Sequence, residues 1–395
     1  MASRTLSTGI DVGTYHVKVV VAEAAEGARS LPRIVATGYA ETRGMRHGYI
    51  VSPDDVTRSV ELAIAQAERA IKTKIKRAFV SIGGMSLDEV FSRGEAVVTR
   101  GDSVISDRDV EAAIAAAEAA ISPSQLLNRT IIDRIPLRFF IDGNRVLGNR
   151  PSGMQGMKIS VEMLFLTALG QHLQALRDAV EDAGVEVEDV VASPLAASFV
   201  SLGKPQKMAG CVLANIGAET LSIVVFEDGK PVSIKVFPMG AADITNDIAL
   251  GLRVPLEEAE QIKLGAVTGA SYPRKKLEDI VSRRLTDMFN LIEAHLKKIG
   301  KNGLLPAGII ITGGGSGLST VGDLAKAVLK LPSRVGSLNT HDASKLQLKD
   351  GSWAVSYGLT VWGFSQSEEY SSRKSGGGTG ALLSGFKRFL KPFLP

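Results

Sequence analysis

One cysteine in 395 residues excludes a disulfide framework and any cysteine-rich metal site. That residue, Cys211, sits in the apolar run GCVLANI, where a buried core thiol is the plain expectation. The five histidines form no HExxH pair, so a zinc-hydrolase reading has nothing to rest on. Net charge is scarce as well: 46 Lys and Arg against 42 Asp and Glu leave +4 at pH 7, so composition argues no nucleic-acid role. Long hydrophobic runs are missing. STGIDVG follows Arg4 at once, without the continuous apolar segment of a signal peptide, and runs such as Ile309-Ile310-Ile311 are far too short to span a bilayer. A soluble, cytoplasmic body is the expectation. Two phosphate-binding signatures are also absent. No GxxxxGK(S/T) occurs and no GxGxxG follows a strand, so neither a P-loop nor a Rossmann site is supported.

What is present is ordinary globular composition, 45% hydrophobic and 22% charged, in a chain long enough for two or more packed units. Residues 5–22 read as strand, turn and strand, with Asp11-Val12-Gly13-Thr14 at the turn. A strand is expected at 33–39, and a helix at 53–72. Pro53 and two acids open that helix, and Val56, Val60, Ile64, Ala67 and Ile71 share one face. A strand at 77–83 follows. From about 84 to 165 the texture changes to strand, helix and two more strands at 129–141 and 158–168, an inserted α+β unit. Ser106 with Asp109 three residues on caps its helix. The first texture resumes at 169–190 with the helix QHLQALRDAVEDAG, and VVASPLAASFVSLG reads as a strand into a short helix. Residues 209–237 read as a β-hairpin with an Asp228-Gly229 turn. Helices are expected at about 241–251, 255–265 and 275–299. A strand at 307–312 then runs into Gly313-Gly314-Gly315-Ser316 and a helix.

TGIDVGTYHVKVVVAE (8–23) and VLANIGAETLSIVVFEDG (212–229) echo each other about 200 residues apart. Each presents a tight glycine turn between antiparallel strands, which suggests two similar α/β halves facing across a cleft. Gly313–Ser316 supplies a third glycine turn. Such turns let backbone N–H groups approach phosphate oxygens. Any one of them alone is as well read as an ordinary tight turn.

In this order the three turns resemble the actin/Hsp70/sugar-kinase ATPase superfamily, and within it the FtsA family of bacterial cell-division proteins. GMRHGYIVSPDDVTRSVELAIAQAE, VSIGGMSL, ISDRDV, IPLRFFIDG, NRPSGMQGMKISVEM, MGAADITNDIALGLRVPLEEAEQIKLGAV and LEDIVSRRLTDMFNLI are each similar to stretches of that family. The last carries Arg284 and Asp287 in its charged positions. The resemblance implies an actin-like α/β fold: two similar halves around a nucleotide cleft, with a small α+β subdomain inserted in the first half. It assigns 1–83 and 166–205 to the first half, 84–165 to the insertion, and 206–364 to the second half with a basic-helix subdomain at about 247–305.

The resemblance further implies ATP and Mg²⁺ as cofactors. Nucleotide contacts are expected from Asp11, Gly13, Thr14, Tyr15 and Lys18 in the first turn, and from Asn215, Gly217, Ala218, Thr220 and Gly240 around the second. Gly313, Gly314, Gly315 and Ser316, with Glu260 and Lys263, complete the set. Asp11 would hold Mg²⁺ through water and Lys18 would reach a phosphate. The sequence departs from the family at the second turn. Asn215 replaces an aspartate, Ala218 and Glu219 replace glycines, and Leu221 and Ser222 replace Thr and Asp. Ser193 stands where Glu or Gln is common near the attacking water, and serine is a poor general base without an activating partner. The expectation is ATP binding with slow or absent hydrolysis and no assigned catalytic residue. A pseudo-ATPase scaffold, a PilM-like homologue of a pilus or secretion platform, and a sugar kinase remain alternatives.

Residues 365–380 read as a polar, Gly/Ser-rich linker. Residues 381–395 follow as an amphipathic helix. On a helical wheel Leu382, Leu383, Phe386, Phe389, Leu390, Phe393 and Leu394 cover about 140°, with Lys387, Arg388 and Lys391 opposite. That is the arrangement of an interfacial membrane helix among anionic lipids, and Pro392 ends or kinks it. A helix docked on the body or in a partner's groove is the alternative. The family resemblance implies self-assembly into filaments, tethering of the tubulin-like protein FtsZ, contact with other division proteins, and a place on the cytoplasmic face of the inner membrane at the division site. FtsZ would meet Lys276, Arg283, Arg284, Lys297 and Lys298, with Lys275 beside them. A solvated basic helix is the plainer reading of those residues.

Overall fold

The structure, a computed structural model, describes residues 5–24, 31–148, 151–266, 272–338, 348 and 350–373. Its first hairpin pairs β1 (Leu6–Val12) with β2 (His16–Glu23), placing Asp11 opposite Lys18. β3 (Arg33–Glu41) extends the sheet from β2. A small hairpin of β4 (Met45–Arg46) and β5 (Tyr49–Ile50) turns at His47 and Gly48, both with positive φ as a tight two-residue hairpin loop requires. α1 (Pro53–Ile71) opens on Pro53, Asp54 and Asp55 and buries Val56, Val60, Ile64 and Ala67. It ends at Lys72 in the left-handed region, and β6 (Arg77–Ile82) returns parallel to β1.

The inserted unit then interrupts the first half. It contains β7 (Asp88–Val97), α2 (Asp107–Ala119), β8 (Arg129–Ile141), β9 (Asn144–Arg145) and β10 (Lys158–Leu169). Its sheet runs β7-β10-β8-β9, and α2 packs over it on a separate core that includes Ile114, Phe139 and Phe165. Ser106 and Asp109 exchange both bonds of a capping box at the start of α2. α3 (Gly170–Asp182) leads back to β11 (Glu186–Ala192), parallel to β6, so the first sheet reads β11-β6-β1-β2-β3.

α4 (Ser193–Ser201) and α5 (Lys204–Ala209) cross to the second half. Here 209–237 is a three-stranded meander rather than one hairpin: β12 (Cys211–Ile216), β13 (Leu221–Glu227) and β14 (Lys230–Phe237). The glycine turn at 217–220 is short enough to reverse the chain by itself, so Asp228-Gly229 makes a second reversal. α6 (Ala241–Leu252), α7 (Leu256–Lys263) and α8 (Arg274–Lys298) follow, then β15 (Ile309–Thr312), α9 (Val321–Leu329) and β16 (Ser333–Val335). The second sheet reads β14-β13-β12-β15-β16, the same plan as the first: three antiparallel strands, then two parallel ones beyond the first of them. Cys211 is buried in this sheet, as expected.

α10 (Ala354–Arg373) lies against α4 and β1. The core formed there gathers Leu195, Phe199 and Val200 with Leu213, Val224, Tyr357 and Trp362, side chains of both halves. Helix therefore continues through 365–373, where composition suggested linker. A helix nucleated by packing extends at little cost through Gln, Glu and Ser. Residues 374–380 and the 381–395 segment lie outside the described residues, and so do all the side chains expected there to face a membrane. Among the described residues no helix is long and apolar enough to cross a membrane.

The insertion is fastened to the second half by a buried relay. Ser233 Oγ on β14 donates to Glu89 Oε1 of β7 at 3.0 Å, and Glu89 Oε2 also accepts the Ile234 N–H at 2.7 Å. His295 Nε2 of α8 lies 2.8 Å from the same hydroxyl. With the hydroxyl proton committed to Glu89, the imidazole is the donor and neutral. Burial, with Lys235 and Lys298 nearby, pushes His295 down to about 4. An unfolded histidine titrates near 6.5, so the unfolded chain binds this proton first. The stability from neutral His295 is complete above about pH 6.5 and is lost as pH falls toward 4, by on the order of 2–3 kcal/mol. Burial raises Glu89, which acts in the opposite sense. The difference between wild type and His295→Gln in urea unfolding at pH 7.5 and pH 5 isolates the histidine. The variant should lose less stability on acidification than wild type.

Candidate functional site

Both glycine turns are built alike. In the first, Gly13 N–H donates to His16 O at 3.2 Å; in the second, Gly217 N–H donates to Thr220 O at 2.8 Å. Asp11 and Asn215 occupy matching places, two residues before each glycine. Closing each turn through the glycine leaves the next amides outward. Among the described residues Thr14, Tyr15, Ala218 and Glu219 donate no backbone hydrogen bond of their own. Such paired amides suit phosphate oxygens.

Asp11 is held by Ser81 Oγ–H at 2.6 Å from the neighbouring β6. Burial raises its pKa, opposed by the Ser81 hydroxyl and by Lys18. Lys18 is desolvated too, which lowers its pKa, while Asp11 and Asp350 pull the other way. Its Nζ donates to the Ser352 carbonyl at 2.9 Å and lies 5.6 Å from the centre of the Trp353 ring. The expected phosphate lysine is therefore engaged with the turn that starts α10. Asp350 shapes that turn by accepting Ser352 N–H and Oγ–H at 2.9 and 2.8 Å.

The same turn reaches the third glycine segment: Thr312 Oγ1 donates to Gly351 O at 3.0 Å. Gly313 has φ +90, and a side chain there would strike Asn215 Oδ1 and the Ile216 carbonyl. Only glycine lets the third turn lie against the second. Ser316 is buried and donates to Gly313 O at 2.7 Å, while Gly314 is exposed. The segment is a short 3-10 turn, Gly314–Gly317, and α9 begins only at Val321, so the glycines do not open directly onto a helix.

Gly240 backs the second turn, and α6 donates Ala241 N–H to Gly217 O and Ala242 N–H to Ala218 O at 2.9 and 2.7 Å. Lys263 and Glu260 sit behind α6. Lys263 Nζ contacts Glu260 Oε2 at 2.7 Å and donates to Thr245 Oγ1 and Ala241 O at 2.8 and 3.2 Å, while Thr245 Oγ1 donates to Glu260 Oε2 at 2.6 Å. Tyr15 is exposed at the mouth; burial of its hydroxyl raises its pKa, and Glu260 adds to the shift across the cleft. Asp11, Lys18, Asn215, Gly217, Ala218, Gly240 and Gly313–Ser316 thus come to one cleft, with Tyr15, Glu260 and Lys263 at its side. Sequence reasoning missed Ser81, Asp350, Ser352 and Trp353. Ser81 had a signal, a lone hydroxyl inside the apolar strand AFVSI; the other three lie in a turn with none.

On α8, Lys276, Arg283, Lys297 and Lys298 are exposed, and helical spacing puts them on one side. Lys297 pairs with Glu293 at 2.9 Å. Arg284 differs: it forms a two-pronged bond with Asp247 of α6 at 2.7 and 2.9 Å. Its guanidinium joins two helices. Among the described residues no three His, Cys, Asp or Glu side chains form a metal cluster.

Two sequence families match the chain: one described as "Cell division protein FtsA" over residues 212–358, and one described as "SHS2 domain inserted in FTSA" over residues 90–167. "Cell division protein FtsA" of Borreliella burgdorferi is 30% identical over 358 residues, covering 85% of this chain and 85% of the relative. The protein of that name from Bacillus subtilis is 29% identical over 360 residues, 86% of this chain and 80% of the relative. Among solved structures, the PilM-PilN type IV pilus biogenesis complex superposes with TM-score 0.66 at 18% identity, covering 91% of this chain and 99% of that one. MreB 5 of Spiroplasma citri bound to AMPPNP gives 0.55 at 10%, covering 94% and 99%. At these identities both establish the fold alone, an actin-like one.

The Glu260–Lys263 pair is largely shielded, with side chains 26% and 9% exposed. Lys263→Met strands a carboxylate and should cost on the order of 3 kcal/mol in urea unfolding, whereas Lys263→Met with Glu260→Met should recover most of it.

Proposed function

This chain belongs to the FtsA family of actin-like cell-division proteins, and from that premise we propose that it binds ATP with Mg²⁺ in the cleft, assembles with copies of itself, and tethers FtsZ to the inner membrane through its C-terminal amphipathic helix. One observation carries the nucleotide part: three glycine turns distant in sequence converge on one cleft around Asp11 and Lys18. The residues fit the ligand. Amides of Thr14, Tyr15, Ala218 and Glu219 face phosphate oxygens, and Lys18 exchanges the Ser352 carbonyl for a phosphate. Among the described residues no cluster of carboxylates or histidines forms a cage for a metal, so Asp11 would hold Mg²⁺ through water and leave the ion's charge to the phosphates, as suits an ion that keeps several waters. Bound MgATP brings the γ-phosphoryl group and the charge to which these groups respond.

Hydrolysis is slow or absent in this reading. Asn215 offers an amide but no carboxylate, and Ser193, whose side chain lies against Gly83, carries a hydroxyl that is a poor general base by itself. Function then rests on assembly. One short amphipathic helix binds a membrane weakly and reversibly, and arraying many on a polymer makes attachment firm. The exposed cations on α8 offer the acidic tail of FtsZ a complementary face, with Lys276, Arg283 and Lys298 as the free contacts and Arg284 positioning α8 on α6. Other division proteins share the site of action, the cytoplasmic face of the membrane at the division plane.

Co-sedimentation tests the reading. Full-length chain with MgATP should pellet with anionic vesicles and carry FtsZ with it. A 1–379 truncation should stay in the supernatant, and Asp11→Ala should weaken ATP binding by on the order of tenfold. Equal vesicle binding by both lengths would remove the membrane role from the tail. Rapid phosphorylation of a small sugar by the purified chain would sink the scaffold reading altogether.

A further inference from the structure

Glu219 is the odd residue of the second turn, an acid where the family pattern has glycine. It does not point away from the cleft. Its carboxylate Oε2 accepts the backbone N–H of His47, and its carbonyl lies 3.4 Å from His47 Nδ1. His47 is at the tip of the β4–β5 hairpin, in the other half of the molecule. The contact therefore spans the cleft.

Both sides of this clasp are stiff. Behind the tip, Gly48 seats directly on Gly84, and Gly83 lies against Ser193. Behind Glu219, Gly240 is packed so close that a side chain there would strike the Ala218 carbonyl and the Glu219 amide. The Ala241 and Ala242 amides hold the turn to α6. Neither the tip nor the turn can retreat; the part free to move is the Glu219 side chain.

We propose that Glu219 sets the preference for phosphate number, making this chain a better binder of a nucleoside diphosphate than of a triphosphate. The inference rests on the nucleotide reading above. With the Gly13 and Gly217 turns taken up by phosphates, the nucleoside is left to Gly313–Ser316 and Lys263, and the phosphates run out between the two turns. The far end of the polyphosphate meets the His47 tip, Ser193 and Glu219. Two phosphates leave the clasp intact. A third places fresh negative charge beside a carboxylate, and like charges within several ångströms near a protein surface repel by an amount on the order of a tenfold change in affinity. The triphosphate then binds only by displacing Glu219 from the His47 amide, which loosens the tip of the first half from the second. Glu219 is a specificity-determining residue, and its clasp ties the number of phosphates to cleft closure.

Calorimetric titration of the full chain with MgADP and MgATP tests this, using wild type, Glu219→Gly and Glu219→Gln. Glu219→Gly should raise ATP affinity by on the order of tenfold while ADP affinity stays within about twofold. Glu219→Gln keeps an acceptor for the His47 amide and loses the charge, so it should gain only part of that. Backbone hydrogen exchange should show the His47 amide exposed by ATP but not by ADP in wild type. Equal shifts for both nucleotides, or no shift for either, would overturn the proposal. Absence of binding of either nucleotide to all three chains, with unchanged thermal melts, would overturn the nucleotide reading and this inference with it.

Discussion

The ammonium of Lys18 cannot be left alone. It sits in the second strand of the chain, withdrawn from water, and burial depresses its pKa. Its charge is met by Asp11 directly opposite on the hairpin and by the Ser352 carbonyl, with the Trp353 ring alongside. Much of the site follows from satisfying that one group. Asp11, desolvated in turn, needs the Ser81 hydroxyl, which sets the first glycine turn against β6. The Ser352 carbonyl is presented by a turn that Asp350 braces and that Thr312 pins to the third glycine segment. A buried charge costs several kcal/mol unless paired, so these contacts act together.

The turn at 350–353 starts α10, and α10 packs on α4 and β1 at the junction of the halves. The site and the joint are therefore one mechanical unit. Around it stand two sheets of equal strand order, each presenting its glycine turn to the cleft. The inserted unit has its own core but is not a free appendage, because Glu89, Ser233 and His295 bind it to the second half through a buried polar relay. A satisfied relay of this kind fixes orientation in a way that apolar contact does not.

Much of this was legible in the residues. Strand, turn and helix follow from spacing that a local window contains: Val56, Val60, Ile64 and Ala67 on one helix face, or a glycine closing a short turn. The echo between 8–23 and 212–229 pointed to the duplicated halves because a repeated turn is a local object seen twice. Errors fell where neighbours in space decide. Residues 209–237 split into three strands because the 217–220 turn reverses the chain alone. The stretch after 365 keeps helical form because the packed helix before it supplies the nucleus. Arg284 reads as one more surface cation on α8 until Asp247, 37 residues away, is placed beside it.

By itself the sequence determined the elements, the order of the three glycine turns, and the family to which the chain belongs. Those depend on backbone preference and on periodicity, which are carried within a few residues. Only the tertiary structure decided what each polar group meets. Lys18 found a carbonyl 334 residues away, and Glu219 found an amide 172 residues away. Pairings of that kind come from how helices and sheets settle against one another, because the cost of desolvation is charged to the whole fold rather than to the segment that carries the charge.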